Sequence, residues 1–138
     1  MESIIWDTSI YITKLRNRYA WLDESSYTLV LSSVVAAELV TGYSHKSGAY
    51  KEFENYVLHM EKTNRLLNPS FLDWYNTGII LGKIIKHRPD LKSKKALLFN
   101  DCLIAISSRQ INAKVITSNI FDFELIRNYV NFKVSFNS

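Results

Sequence analysis

The sequence predicts an α/β protein, a three-layer α/β/α sandwich around a mainly parallel sheet. Three observations predict it. Ile4, Ile5 and Trp6 form an apolar run without alternation, closed by a carboxylate, Asp7. A strand apolar on both sides belongs to a parallel sheet covered by helices. Such runs then alternate along the chain with stretches of helical period. Isolated acids recur beside them, and in parallel sheets chemistry collects beyond the carboxyl ends of the strands.

The elements follow in order. After Asp7, Thr8–Leu22 has helical spacing, with Ile10, Leu15 and Tyr19 on one face and Lys14, Arg16 and Arg18 on others. Thr8 or Ser9 is the expected N-terminal cap. Asp23–Ser26 reads as a polar turn and Tyr27–Leu31 as the second strand, rich in β-branched and aromatic residues. Ser32 or Ser33 then caps a helix from about Val34, with Gly42 as its stop. Tyr43–Gly48 is a loop. Ala49–Lys62 is a helix with Phe53, Tyr56, Val57 and Met60 on one side. Arg65–Leu67 is a short third strand, and Phe71–Lys86 a helix whose Gly78 and Gly82 suggest close packing. His87–Lys95 is a polar connection. Ala96–Gln110 is a helix, Val115–Thr117 the fourth strand, Ser118–Asp122 a turn, Phe123–Asn128 a short helix and Phe132–Phe136 the last strand. With no repeat, linker or low-complexity tract, residues 1–138 form one domain.

Composition narrows the function classes. The charged share is 22%, the hydrophobic share 47% and the aromatic share 13%, as in ordinary globular proteins. The formal net charge of +4 permits an anionic partner such as RNA or DNA, or reflects a solvated surface only. From Lys83 to Lys95 six basic residues face one acid, Asp90, which makes either a solvated loop or a phosphate-contacting patch. One cysteine, Cys102, excludes an internal disulfide, and with only three histidines a zinc cluster is excluded too. No leader and no apolar run of the ~20 residues needed for a membrane span is present. A cytoplasmic protein is expected. No Gly-rich phosphate loop occurs.

Four acids stand in apolar surroundings: Asp7, Glu38, Asp101 and Asp122. Isolated carboxylates there are costly unless compensated, and one divalent cation compensates several at once. Asp7 ends the first strand, Glu38 lies in the helix after the second, Asp101 in the helix leading to the fourth, and Asn119 and Asp122 follow the fourth. In a parallel sheet these positions converge on one edge. Oxygen ligands suit Mg²⁺ or Mn²⁺. Such an ion, with open positions, is a setting for phosphodiester hydrolysis. Each acid also has a plainer reading: Asp7 or Asp122 as a helix cap, Glu38 exposed on its helix, Asp101 on the surface or ion-paired.

Four segments carry a resemblance: Asp7-Thr8-Ser9-Ile10-Tyr11-Ile12, Ser33-Val34-Val35-Ala36-Ala37-Glu38-Leu39, Asn100-Asp101-Cys102-Leu103-Ile104-Ala105, and Ile116-Thr117-Ser118-Asn119-Ile120-Phe121-Asp122-Phe123. In this order they resemble a PIN domain, in particular a VapC-type toxin ribonuclease, over essentially the whole chain. The resemblance implies Asp7, Glu38 and Asp101 as metal-binding, catalytic carboxylates. It matches Asp122 to the aspartate of the family's T-x-N-x-x-D-F segment. Asn119 falls where many PIN nucleases carry a fourth acid, so either Asn119 or Asp122 completes the metal site. Thr8, Ser9, Thr117 and Asn119 are expected on the substrate side, Thr117 supporting the ligands. Ser118 stands where some relatives have Arg or Lys.

The resemblance further implies a Mg²⁺- or Mn²⁺-dependent endoribonuclease, an antitoxin whose tail lies in the active-site groove, and a homodimer. The alternative, motivated by Asn119, is an inactive PIN-like module that binds RNA or a protein partner.

Overall fold

The structure, a computed structural model, describes residues 1–16 and 26–137. Five strands, β1 (Glu2–Trp6), β2 (Tyr27–Ser32), β3 (Leu66–Leu67), β4 (Lys114–Thr117) and β5 (Lys133–Phe136), form one sheet in the order β3-β2-β1-β4-β5. Every pairing is parallel. Six helices connect them: α1 (Thr8–Arg16), α2 (Ser33–Val40), α3 (Gly48–Lys62), α4 (Phe71–His87), α5 (Lys95–Ser108) and α6 (Ile120–Arg127).

β1 is the central strand of the five, and its second half is wholly apolar. Ile4, Ile5 and Trp6 are all buried, as a strand covered on both faces requires. Leu29 and Leu31 of β2, Val115 of β4 and Leu98, Cys102 and Ile104 of α5 extend the same core. From β1 the chain moves outward through β2 to β3, then returns to β1's other side for β4 and β5. The order therefore reverses between β1 and β4. That reversal opens a crevice at the carboxyl ends of these two strands, the general place for a site in such sheets.

Several local expectations are corrected. Neither Thr8 nor Ser9 caps α1: both are inside the helix, and their hydroxyls go to Glu38 and Asp7. Gly42 is not the stop of α2, since no glycine has positive φ; Thr41 is the C-cap, and its hydroxyl donates to the Glu38 carbonyl at 2.7 Å. Ser32 precedes α2, but its hydroxyl caps nothing. Gly78 and Gly82 do not admit a neighbouring helix, because a Cβ at either would meet nothing within 4 Å. The connection after α4 is a 3₁₀ turn, Pro89–Lys94, anchored by buried Leu91. Asp122 lies within the first turn of α6 rather than capping a helix after it. The turn 23–25, residues 17–22 of the first predicted helix with Arg18 and Tyr19, and the side chains of Leu15 and Arg16 lie outside the described residues.

Candidate functional site

Asp7 stands where β1 ends, and its backbone N–H donates to the Ile116 carbonyl of β4 at 2.9 Å, so the residue is sewn to both strands of the crevice. Its buried carboxylate accepts from the Thr117 hydroxyl at 2.8 Å and the Ser9 hydroxyl at 3.0 Å, both on Oδ2. Two donors on one oxygen fix the side chain and leave Oδ1 turned elsewhere. The Ser9 hydroxyl also accepts the Ser118 N–H at 3.1 Å, and the Thr117 hydroxyl accepts the Asn119 N–H at 2.9 Å. The turn after β4 is thus tied to the start of α1.

Glu38, half-buried on α2, accepts from the Thr8 hydroxyl at 3.0 Å. Burial raises its pKa, the Thr8 and Asn100 hydrogen bonds lower it, and the negative charge of Asp7 raises it, for a net upward shift. On α5, Asp101 is buried. Its carboxyl is pushed up to about 9, first by burial, then by its hydrogen bond to Asp122, then by the charges of Asp7, Asp122 and Glu38. At neutral pH Asp101 is therefore protonated and donates to Asp122.

Asn119 is the bridge. Its amide nitrogen donates to Asp101 Oδ2 at 3.1 Å and to Asp122 Oδ2 at 3.0 Å. Both amide protons are so used, and its carbonyl oxygen stays available as an acceptor. Asp122 is fully buried, and Lys94 Nζ closes on its Oδ1 at 2.5 Å while lying 4.8 Å from the Phe121 ring centre. Burial pushes Asp122 up, but the Lys94 ammonium, the Asp101 proton and the Asn119 amide outweigh it and the net shift is downward. Neighbouring carboxylates with opposite shifts divide the work: one holds a proton, the other a charge.

The structure brings Asp7, Glu38, Asp101 and Asp122 into electrostatic reach of one another, with Thr8, Ser9, Thr117 and Asn119 as their hydrogen-bond partners. It does not close them up: among the described residues, no three His, Cys, Asp or Glu side chains stand as a finished ligand set. Like-charge repulsion and a separate donor for each carboxylate account for the spacing. In kind, the donors fit a hard divalent cation: they are oxygens only, and a cation would offset the burial and the neighbouring negative charges that hold Asp101 protonated. Cys102 beneath them is inert; burial pushes its thiol up to about 12.

Lys94 and Asn100 were not singled out from the sequence. Lys94 counted only as one of a basic run. It ends the 3₁₀ turn just before α5, and its partner Asp122 is 28 residues on, so no local spacing marks it. Of that run, Arg88 instead pairs with Asp90 at 2.9 Å, both exposed. Lys14 lies 5.7 Å from the Trp6 ring centre.

Comparison with known proteins agrees with this geometry. The PIN domain model matches residues 4–127. No curated protein matches the sequence. Among solved structures, FitAB bound to the IR36 DNA fragment has a TM-score of 0.65 at 19% identity, covering 96% of this chain and 94% of that one. VapBC2 from Rickettsia felis, bound to a promoter DNA fragment, has a TM-score of 0.55 at 23% identity over 99% of both chains. VapBC-5 from Mycobacterium tuberculosis, of the VapBC family of toxin-antitoxin systems, has a TM-score of 0.51 at 19% identity over 99% and 98%. These likenesses are in fold. With its all-parallel sheet, its crevice between β1 and β4 and a model match over residues 4–127, this chain belongs to the PIN domain family.

Proposed function

We propose that the chain, as one nuclease domain over residues 1–138, is a metal-dependent endoribonuclease. One observation carries the reading: Asp7, Glu38, Asp101 and Asp122, from four separate segments, stand within electrostatic reach of one another, and burial first, then the Asp122 hydrogen bond and the neighbouring charges, hold Asp101 at a pKa of about 9. A fold gains nothing in stability from such a cluster, and strongly perturbed carboxyls at a sheet's switch point are candidates for chemistry.

Asp7, Glu38 and Asp101 would hold Mg²⁺ or Mn²⁺. Asn119 suits the fourth place better than Asp122, because its carbonyl oxygen is unused whereas Asp122 is paired with Lys94. When bound, the ion supplies a Lewis acid to the phosphate and lowers the pKa of water. The chain's own residues do the rest. Ser9 and Thr117 orient Asp7, and Thr8 orients Glu38. Asp101 would give up its proton to serve as a ligand, because a nearby cation favours the carboxylate form. The Lys94 ammonium, about one-third exposed, stands ready to meet a backbone phosphate.

The likeness to VapBC and FitAB supports a toxin's role with an antitoxin as partner. Among the described residues no helix is long and apolar enough to cross a membrane, and we place the protein in the cytoplasm with its RNA substrate. α4 exposes Phe71, Leu72 and Tyr75 on its outer side, an apolar face suited to a homodimer. The test is cleavage of purified cellular RNA with Mg²⁺ or Mn²⁺. Asp101→Asn is expected to lose on the order of a hundredfold or more, the scale of one preorganised electrostatic group. Parental cleavage by that variant overturns the assignment.

A further inference from the structure

Away from the acids, the start of β4 and β5 carries a groove of the opposite sign. Three adjoining cavities of about 370, 340 and 320 Å³ share Asn131 as a common wall. Lys83, Arg109, Lys114, Arg127 and Lys133 line them, and no Asp or Glu does. Lys114 and Lys133 are register partners on adjacent strands, an arrangement that like charges disfavour. Glu2 answers Lys114 at 3.4 Å and Glu124 answers Arg127 at 3.1 Å. Among the described residues, Lys83, Arg109 and Lys133 have no ion pair. Three positive charges therefore face one groove without an ion pair.

We propose that this groove binds the sugar–phosphate backbone of single-stranded RNA, as a second contact outside the cleavage site. The inference rests on the ribonuclease reading for its choice of RNA. Cavities that share walls make one extended groove, which suits a chain of phosphates better than one small anion. The walls also carry the half-buried rings of Phe132 and Tyr129 and the Asn131 amide, the mixture of cations, aromatic faces and donors found where single strands track across proteins. An acidic peptide would use the cations alone. Lys114 opens the strand that Thr117 closes, so groove and crevice are separated by about 10 Å of β4 at ~3.3 Å per residue. One RNA of several nucleotides reaches both.

The test is binding of a fluorescent 20-nucleotide oligouridylate to the full chain in EDTA, which holds cleavage off, titrated with salt. In Lys83→Ala/Arg109→Ala/Lys133→Ala, affinity is expected to fall about tenfold or more. The slope of log affinity against log salt should shrink by about 2, three contacts at ~0.7 each. All three residues are exposed, so an unchanged circular dichroism spectrum separates lost contacts from lost fold. Lys83→Arg/Lys133→Arg should bind as the parent does. Parental affinity and slope in the triple alanine variant overturn the proposal. So does competition by polyglutamate as effective as by RNA of equal charge, which marks an acidic-protein surface. Failure of the ribonuclease reading shows separately, as a parent chain that binds the oligonucleotide yet leaves RNA intact with Mn²⁺.

Discussion

The two ends of β4 differ in how charge is handled. At its carboxyl end the acids are buried and each is matched to a particular donor: Asp7 to Ser9 and Thr117, Asp122 to Lys94 and Asn119. At its amino end the cations are exposed or half-exposed, and three have no matched acid. Buried charge must be compensated within the fold, so it is costly and specific. Exposed charge is screened by water and salt, so it costs the fold little and acts at longer range. The proposed chemistry therefore uses the first end and the proposed RNA capture the second.

The comparison is tested hardest at Asp101. Its pKa is about 9 in the folded chain and lies near the ordinary carboxyl value once unfolded. The folded state therefore binds the proton more tightly than the unfolded state, and stability falls as pH rises from about 4 towards 9. Asp101→Asn removes that loss. In EDTA at pH 7.5 it should melt several degrees above the parent, since even ~1 kcal/mol moves a domain of this size by roughly 2–8 °C. The gain should fade as pH falls towards 4. A variant that loses cleavage and gains stability is the signature of a site held against the fold's interest. A melting point equal to the parent's at pH 7.5 would mean that burial and its neighbours do not hold Asp101 protonated.

How much of this was legible follows the same division. The parallel sheet was readable because Ile4-Ile5-Trp6 has no alternation, and burial on both faces leaves no other pattern. The acids were readable because apolar neighbours make a carboxylate conspicuous. What sequence could not supply was partnership. Thr8 and Ser9 looked like caps, since local chemistry favours that, yet they reach Glu38, 30 residues away, and Asp7. Gly78 and Gly82 looked like a packing motif, but spacing does not say which side of α4 faces the core. The amino-end groove was invisible because Lys83, Arg109, Lys114, Arg127 and Lys133 are scattered over 51 positions. Only the fold gathers them.

A smaller effect is expected at Lys94, which belongs to the buried-charge end but is itself partly exposed. Lys94→Ala leaves Asp122 without its ammonium, and the downward shift of that carboxyl should be lost. A carboxyl held below its unfolded value stabilises the fold above that value, and the contribution disappears as pH falls through the folded one. Acid titration of Lys94→Ala should therefore show a smaller loss of stability below pH 4 than the parent. Cleavage should drop roughly tenfold, as for an outer partner, because Lys94 holds Asp122 and Asp122 in turn holds the Asn119 amide. Lys94→Arg, which keeps the charge, should recover most of both. Unchanged cleavage with an altered acid limb would confine Lys94 to folding.

The smallest effect lies outside both ends, and it calibrates them. Ser70 caps α4, its hydroxyl accepting the Asp73 N–H at 3.2 Å while Asp73 accepts the Ser70 N–H at 3.0 Å. Asp73 also accepts from Gln110 Nε2 at 2.5 Å, tying α4 to the turn before β4. This capping box contains a charge, like the carboxyl end of β4, but its charge serves to satisfy backbone and amide donors. Ser70→Ala should cost about 1 kcal/mol of stability, as the loss of an N-cap does. RNA cleavage well below the melting point and oligouridylate affinity should both stay at parental levels. Measured beside Asp101→Asn, it gives the opposite pairing: stability down and activity kept, against stability up and activity lost. If Ser70→Ala instead reduced cleavage in proportion to its lost stability, the acids would be reporting the state of the fold, and their separation from the rest of the molecule would fail.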